Sequence, residues 1–243
     1  MGIIVAIGGG DINDSGTFII DEYIVKISAK ESPKALFIPT ASDDSQEYID
    51  VFNNIYGNKL GCMTDTLLLI NEEASDKDIK NKILSSDIIY VGGGNTSKML
   101  DIWRKYKVDE YLRQAFEKGT ILSGLSAGSM CWFKHGYSDS GSNEDGTTCY
   151  ISLEGLGFIN AINCPHYNEE GRKEFDDMMS VTEEIGIALE NNCALVIKNN
   201  TFRIIKTDKK ASAFKLINSC GSVQKSTLAN EDFVSINELF DNK

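Results

Sequence analysis

The chain has 243 residues, 42% of them hydrophobic and only three of them proline, a composition typical of a folded globular protein with one well-buried α/β domain or two small ones. No composition shift or Pro/Ser-rich linker divides it, so we expect a single domain over residues 1–243, with disorder only at the tail 241–243. The formal net charge of −12, from 36 acidic against 24 basic residues, argues against a nucleic-acid partner, because affinity for phosphate backbones comes largely from clustered Lys and Arg.

The cysteines and the N terminus indicate the compartment. The six cysteines form no CxxC pair and lie mostly in apolar runs, which favours buried thiols over disulfides. The N terminus passes directly into strand-like sequence without a basic segment or cleavage site, and no apolar run approaches the length of a membrane span. We therefore expect a cytoplasmic protein with no membrane partner, as a monomer or a homodimer.

Up to residue 124, short apolar runs alternate with helical patterns. The apolar runs are typical of strands covered on both faces, and they lie at residues 3–7, 35–38, 65–70, 87–91 and 120–124. The helical patterns lie at about 17–29 and 44–58, from the capping residue Ser75 onward, and between 96 and about 118. Strands that alternate with helices imply parallel pairing with right-handed crossovers.

After residue 130 the pattern changes. Residues 137–148 are rich in Ser, Gly and Asp and are predicted to form an exposed loop. Residues 159–164 are a predicted strand, and Asn168 is positioned to cap a helix over about 169–184. The runs 193–198 and 201–205, joined by two asparagines, predict a β-hairpin, since Asn tolerates the positive φ that such turns require.

The last part of the chain predicts further antiparallel strands at 211–217 and 221–227. The predicted fold is therefore α/β, with a mostly parallel central sheet flanked by helices and an antiparallel C-terminal β extension. Two glycine triplets, at 8–10 and 92–94, follow predicted strands. Neither triplet has phosphate-loop spacing and no basic cluster accompanies them, so a nucleotide-binding module is the weakest interpretation.

The run Gly124-Leu125-Ser126-Ala127-Gly128 has the pattern of a nucleophile elbow. In that motif a strained turn between a strand and a helix holds a serine oxygen out of the top of a sheet. Small residues allow the chain to turn sharply, and the turn would point the Ala127 amide at the anion formed when Ser126 attacks a carbonyl.

A serine needs a base to accept its proton, and the chain contains only two histidines. His135 follows Ser126 by nine residues and precedes Gly136, which suits the C-terminal end of a helix better than a role at Ser126. His166 follows a predicted strand, where loops gather at the sheet edge, and elimination makes it the candidate base.

A third group would orient the histidine and offset its developing charge. The candidate acids are Asp139, Glu144, Asp145, Glu154 and Glu190. Most acids in an acidic protein are solvated, which applies strongly to the cluster at 139–145. Glu190 differs because an apolar, strand-like run ends there. A second oxyanion donor could come from the triplet at 92–94, at the end of the neighbouring strand.

Together these segments resemble the peptidase E and cyanophycinase family of serine peptidases. The resemblance rests on residues 91–96 (VGGGNT), 124–128 (GLSAG), 155–158 (GLGF) with 165–167 (PHY), and 188–192 (ALENN). It implies a fold like that of the class I glutamine amidotransferases, similar to flavodoxin, with serine in place of the nucleophilic cysteine. It also implies a triad of Ser126, His166 and Glu190, with Gly94 and Ala127 in the oxyanion hole and no cofactor or metal.

The resemblance also suggests a small peptide substrate. Members of the family include dipeptidases that cleave after an N-terminal aspartate and enzymes that cut a β-linked aspartyl-arginine polymer. Arg172 would lie on the inward face of the predicted helix near His166, where it could clamp a substrate carboxylate, or it could lay its stem over the core with its head in water. Asn95 is a further candidate substrate contact.

Two other classes of function remain open from the sequence. An α/β-hydrolase esterase has the same elbow pentapeptide, but its triad order would require the acid to come from residues 139–154. A catalytically silent module could retain the pocket as a ligand site, and no sequence feature excludes it.

Overall fold

The computed structural model describes residues 2–12, 16–70, 74–142, 145 and 147–241. The Asn242 and Lys243 end of the predicted disordered tail therefore lies outside the described residues. The described strands are β1 (Ile3–Ile7), β2 (Lys34–Ile38), β3 (Met63–Thr66), β4 (Ile88–Val91), β5 (Ile121–Leu125), β6 (Phe133–Ser142), β7 (Thr148–Glu154), β8 (Ile159–Cys164), β9 (Gly186–Leu189), β10 (Cys193–Lys198), β11 (Thr201–Lys206), β12 (Ala213–Ser219), β13 (Ser222–Leu228) and β14 (Val234–Ser235).

Most of the described helices lie in the connections between strands, and one lies near the C-terminal end. They are α1 (Phe18–Ile27), α2 (Gln46–Phe52), α3 (Asp76–Leu84), α4 (Thr96–Lys105), α5 (Val108–Glu117), α6 (Ala127–Met130), α7 (Glu174–Met179) and α8 (Ile236–Phe240). A 3₁₀ turn at Thr40–Ser42 precedes α2, and a π-helical segment at Asn53–Lys59 continues it. No helix in the described part of the chain is long and apolar enough to cross a membrane.

The first sheet has eight strands in the order β14-β11-β10-β1-β5-β4-β2-β3. Its half from β1 to β3 is parallel, as the alternation of strands and helices predicts. β10, β11 and β14 extend it antiparallel on the other side of β1. The predicted hairpin at 193–205 is therefore confirmed, and its turn residue Asn199 has a φ of 54°.

A second sheet of six strands, in the order β13-β12-β9-β8-β6-β7, packs beside the first. In it β6, β8 and β9 are parallel, while β7, β12 and β13 are antiparallel to their neighbours. The antiparallel strands predicted near 211–227 belong to this sheet. The sequence predicted one central sheet, and the second sheet is the main addition that the structure makes.

The core fills both faces of the first sheet. Along β1, Ile4 and Ala6 enter one hydrophobic cluster, and Val5 and Ile7 enter the other. A strand buried on both faces explains why the run is apolar at every position. The first cluster also takes side chains of the second sheet, Ile187 among them, so the two sheets share a core. Four cysteines are buried as predicted, whereas Cys149 is half-buried and Cys220 is exposed.

Two predicted segments differ from the structure. Residues 137–148 were expected to form an exposed loop, but β6 runs to Ser142 and pairs with β7, and both Tyr137 and Ser138 are buried. The helix expected over 169–184 is confined to α7, because Gly171, at a φ of 82°, interrupts it. The segment between β8 and α7 is a series of turns, which leaves its polar side chains available to the candidate site.

Candidate active site

Three parallel strands end together at one edge of the first sheet. Residues Ile7 of β1 and Leu125 of β5 are paired, and Val91 of β4 pairs with Gly124. The residues that follow these strands are the two glycine triplets and Ser126. Ligands bind at the carboxyl ends of strands in such sheets, and the register explains why three distant segments converge there.

Ser126 has the backbone conformation of a nucleophile elbow. Its φ of 57° and ψ of −108° are unusual for a residue with a side chain. A side chain at Gly124 or Gly128 would overlap the backbone oxygen of Val91, which is why small residues flank the serine. Ala127 begins α6, so its N–H has no acceptor four residues earlier within the helix.

The second glycine triplet lies against the serine. A Cβ at Gly93 would lie 3.5 Å from Ser126 Cβ, and Gly94, at a φ of 134°, packs where any side chain would overlap the Ala41 oxygen. The Gly93 N–H donates to Tyr48 Oη at 3.4 Å. The predicted oxyanion residues Gly94 and Ala127 are thus on adjacent strand ends beside Ser126.

His166 follows β8 and reaches the same edge from the second sheet. Its backbone N–H donates to the Gly8 backbone oxygen at 2.9 Å, and its φ is 54°. Of its side chain, 19% is exposed. His135 lies on β6 instead of at a helix end, and its Nδ1 is 2.7 Å from a Glu184 oxygen. His166, and not His135, therefore lines the same cavity as Ser126.

Two side chains contact Nδ1 of His166. Asn191 Oδ1 is 2.7 Å away and Glu169 Oε1 is 3.0 Å away. Asn191 Nδ2 also donates to Glu169 Oε1 at 2.8 Å, and the Asn191 N–H donates to Asn168 Oδ1 at 2.9 Å. Asn168 therefore supports the Asn191 turn instead of capping a helix.

Glu190 does not occupy the position expected for the third member. Its Oε2 accepts the Ser212 N–H at 2.7 Å, which ties the end of β9 to the segment before β12. The other candidate acids make different contacts: Asp139 lines the same cavity as His166 but pairs with Arg172, and Asp145 accepts from Thr147. Glu154 lies on β7 opposite His135, and Glu144 falls outside the described residues.

A cavity of about 370 Å³ joins these groups. Its lining residues are Gly94, Asn95, Ser126, Asp139, Ser140, His166, Glu169 and Arg172.

Arg172 is buried in the wall of this cavity. Only 4% of the Arg172 side chain is exposed, so its guanidinium does not lie in water. Its guanidinium donates to the Tyr137 oxygen and to Asp139 Oδ2, each at 3.0 Å, and stacks over the Tyr150 ring. Asn95 lines the wall, and its Oδ1 caps α4 by accepting the Lys98 N–H.

Sequence reasoning missed several residues of the site. The triplet at 8–10 was weighed only as a nucleotide-binding segment, yet a side chain at Gly9 would overlap both Asn191 Oδ1 and His166 Nδ1. Asp139 was set aside as a solvated acid, and Glu169 was placed inside a helix. Within the described ranges, no group of three or more His, Cys, Asp or Glu side chains is arranged to hold a metal ion.

Behind the site lies a buried polar network. Asp21 on α1 is fully buried and accepts hydrogen bonds from Thr17 Oγ1 at 2.8 Å and Tyr56 Oη at 2.9 Å. Burial raises the pKa of Asp21 to about 7. Burial also raises the pKa of Tyr48, which contacts Gly93, to about 12. Tyr48 therefore stays a neutral hydroxyl beside the glycine turn at physiological pH.

Known proteins resemble this chain along most of its length. A family model described as peptidase family S51 matches residues 4–205. An uncharacterized peptidase of Bacillus subtilis is 33% identical over 219 residues, which cover 88% of this chain and 91% of that protein. A Nostoc protein named peptidase E is 25% identical over 207 residues, covering 80% of this chain and 81% of its own. The crystal structure of a peptidase from an acI-B1 actinobacterium matches the fold with a TM-score of 0.74, at 17% identity over 97% of each chain.

Proposed function

The chain belongs to peptidase family S51 and is a peptidase, and on that premise we propose that it is a serine exopeptidase that removes an N-terminal aspartyl residue from short peptides. The observation that carries the proposal is the single cavity in which Ser126 and His166 lie with the buried Arg172 and its partner Asp139.

In the proposed reaction Ser126 Oγ attacks the peptide carbonyl while His166 Nε2 takes the hydroxyl proton. The N–H groups of Gly94 and Ala127 stabilise the resulting oxyanion. His166 then gives the proton to the leaving nitrogen, the C–N bond breaks, and an aspartyl ester remains on Ser126. Water attacks this ester with His166 again as base, so one water is consumed and Ser126 regains its proton.

Arg172 and Asp139 account for the proposed specificity. An N-terminal aspartyl residue carries a carboxylate and an ammonium group close together. The carboxylate can pair with the Arg172 guanidinium, which presents planar donors, and the ammonium can pair with Asp139. Such a substrate replaces the ion pair between Arg172 and Asp139. The buried guanidinium and the half-buried carboxylate then each keep a partner of opposite charge. Asn95, which lines the same cavity, is the third proposed substrate contact.

The leaving residue has space on the other side of the glycine turn. A second cavity of about 370 Å³ is lined by Gly93 and by the apolar side chains of Ile12, Val51 and Leu125, among others. The segment at 9–12 leads to it from His166, which must protonate the leaving nitrogen. An apolar second residue such as leucine suits this cavity.

The test is hydrolysis of a panel of peptides by the wild-type protein and by Ser126→Ala. We expect turnover of Asp-Leu, at least about tenfold less of Asn-Leu, which lacks the charge that Arg172 would bind, and none of N-acetyl-Asp-Leu. Ser126→Ala should be folded by circular dichroism and inactive. Equal turnover by Ser126→Ala would refute the serine mechanism, and equal turnover of Asn-Leu would refute the aspartyl specificity.

The remaining candidates become outcomes of the same panel. An isoaspartyl peptide presents the same two charges, so selective cleavage of isoAsp-Leu would assign the β-linkage and a cyanophycinase-type activity. Absence of all turnover, together with failure of a fluorophosphonate probe to label Ser126 in folded protein, would indicate a silent binding module. Membership of a peptidase family removes the esterase interpretation.

A further inference from the structure

The partners of His166 Nδ1 are an amide oxygen and a carboxylate, and not the acid that follows β9. We propose that Asn191, braced by Glu169, is the positioning residue that orients His166, and that Glu190 takes no part in the reaction. This inference rests on the proposed function, because it assumes that His166 serves Ser126.

The hydrogen bonds determine which nitrogen of His166 carries the proton. Glu169 as a carboxylate can only accept, so the 2.8 Å contact to it identifies the NH₂ group of Asn191. The amide oxygen of Asn191 therefore faces His166 Nδ1 at 2.7 Å. Both neighbours of Nδ1 are acceptors, so Nδ1 carries the hydrogen. Nε2 keeps its lone pair and can accept the Ser126 proton.

The surroundings hold Asn191 in this position from three sides. Its backbone N–H is bound by Asn168, its side-chain NH₂ by Glu169, and the Gly9 backbone packs against its side-chain oxygen. Glu190, one residue earlier, is engaged by the Ser212 N–H. Two consecutive residues thus have separate tasks: Glu190 joins segments of the second sheet and Asn191 serves the histidine.

An amide in this place changes the electrostatics of the reaction. The nearest partner of Nδ1 is neutral, so it fixes the tautomer and the ring orientation but supplies little compensation for an imidazolium. The negative charge comes from Glu169, whose side chain is 49% exposed. Water and salt screen an exposed carboxylate, so the charge contribution should weaken as ionic strength rises.

The first test does not depend on activity. The imidazole ¹⁵N shifts of the protein distinguish the two neutral tautomers, and the variant His135→Gln removes the only other histidine signal. We expect His166 to be the Nδ1–H tautomer at neutral pH. Predominance of the Nε2–H tautomer in the folded protein would overturn the proposal even if no peptide is ever cleaved.

The second test uses kcat/KM for Asp-Leu as a function of pH. Asn191→Ala should lower kcat/KM by at least about tenfold. The charge swap Asn191→Asp with Glu169→Gln should keep kcat/KM within about tenfold of wild type and move the acid limb upward by about one pH unit, because the full charge now lies at Nδ1. Glu170→Gln removes the charge of an exposed neighbour outside the cavity, so it is the matched control for the loss of the Glu169 carboxylate and should leave kcat/KM unchanged.

The variant Glu190→Gln tests the competing assignment, in which Glu190 orients His166. The glutamine retains an acceptor for the Ser212 N–H, so a loss of activity would report the lost charge. If Glu190→Gln lowers kcat/KM and shifts the acid limb while Asn191→Ala does neither, the orienting role belongs to Glu190 and the proposal is wrong. If the wild type and all variants fail to cleave the peptide panel while His166 is the Nδ1–H tautomer, the proposed activity is refuted. The assignment of Asn191 as the partner of His166 Nδ1 is then still supported.

Discussion

At the scale of single residues, Asp21 carries the clearest pH dependence. Burial raises its carboxyl pKa from 3.8 to about 7, so between these values the folded protein holds a proton that the unfolded chain has released. Stability therefore falls as pH rises through this window, by up to about 1.4 kcal/mol per pH unit, and levels off above it.

The variant Asp21→Asn should remove that slope, because an amide does not titrate in this range. Its oxygen can accept one of the two hydrogen bonds, and its NH₂ group can donate to the other hydroxyl oxygen. We expect the stability of Asp21→Asn relative to wild type to increase steadily from pH 4 to pH 7 and to be constant above that. Urea unfolding at a series of pH values measures it. Parallel curves for the two proteins would mean that Asp21 is ionised in the native state across the range.

Also at the scale of residues, the sequence predicted candidates that belong to a motif or to a rare residue type. It missed residues whose role depends on which way the side chain points. Ser126 could be found from its elbow and His166 by elimination between two histidines. Glu190 and Asn191 both follow an apolar strand, where the chain leaves β9 and turns into β10. Which of them faces His166 is decided by the backbone conformation of this turn, which no single-sequence pattern reports.

At the scale of elements, the short helix α6 is tied to the second sheet through one buried amide. Ser129 Oγ donates to Asn163 Oδ1, and Asn163 Nδ2 donates to the Ile187 oxygen, both at 3.1 Å. Asn163 is fully buried on β8. This link connects the helix after Ser126 to the strand before His166.

Asn163→Ala should therefore destabilise the fold by about 2–4 kcal/mol, because a hydroxyl and a carbonyl lose their partner and a small cavity opens. Asn218→Ala removes a half-buried hydrogen bond to the Ser180 oxygen and an exposed one from the Gly221 N–H, and it should cost no more than about 1.5 kcal/mol. Chemical denaturation of the two variants compares them directly. Equal costs would mean that the buried link contributes no more than a peripheral one.

Elements with strong local patterns were predicted well, and elements held by distant partners were not. The buried runs of β1, β2, β4 and β5 and the hairpin at 193–205 follow from periodicity and turn chemistry. The β6–β7 pair does not, because its polar sequence resembles a loop until it finds neighbours. Residues 137 and 138 are buried only because the second sheet and Arg172 cover them.

At the scale of the whole molecule, the shared core predicts one cooperative unit. Ile4 and Leu122 of the first sheet lie in the same cluster as Ile187 and Leu189 of the second. We expect a single unfolding transition in urea, with circular dichroism, tryptophan fluorescence and peptidase activity lost together. Loss of activity in a separate, earlier transition would instead divide residues 1–243 into two domains.

The candidate site also belongs to the whole molecule, since Ser126 comes from the first sheet, His166 from the second, and Asn191 from the connection between them. Fold class was predictable because it follows from the alternation of strands and helices. The division into two sheets was not, because short strands do not reveal which edge they join.

The place of β1 has a consequence for synthesis. β1 leaves the ribosome before the other described strands and pairs with β5 on one side and with β10 on the other, so its second neighbour is translated almost two hundred residues later. Contacts this distant in sequence form slowly and late. The nascent chain contains Ser126 long before it can assemble the surroundings of His166 around Gly9 and Asn191, so the proposed cleavage activity should be absent until translation has passed β10.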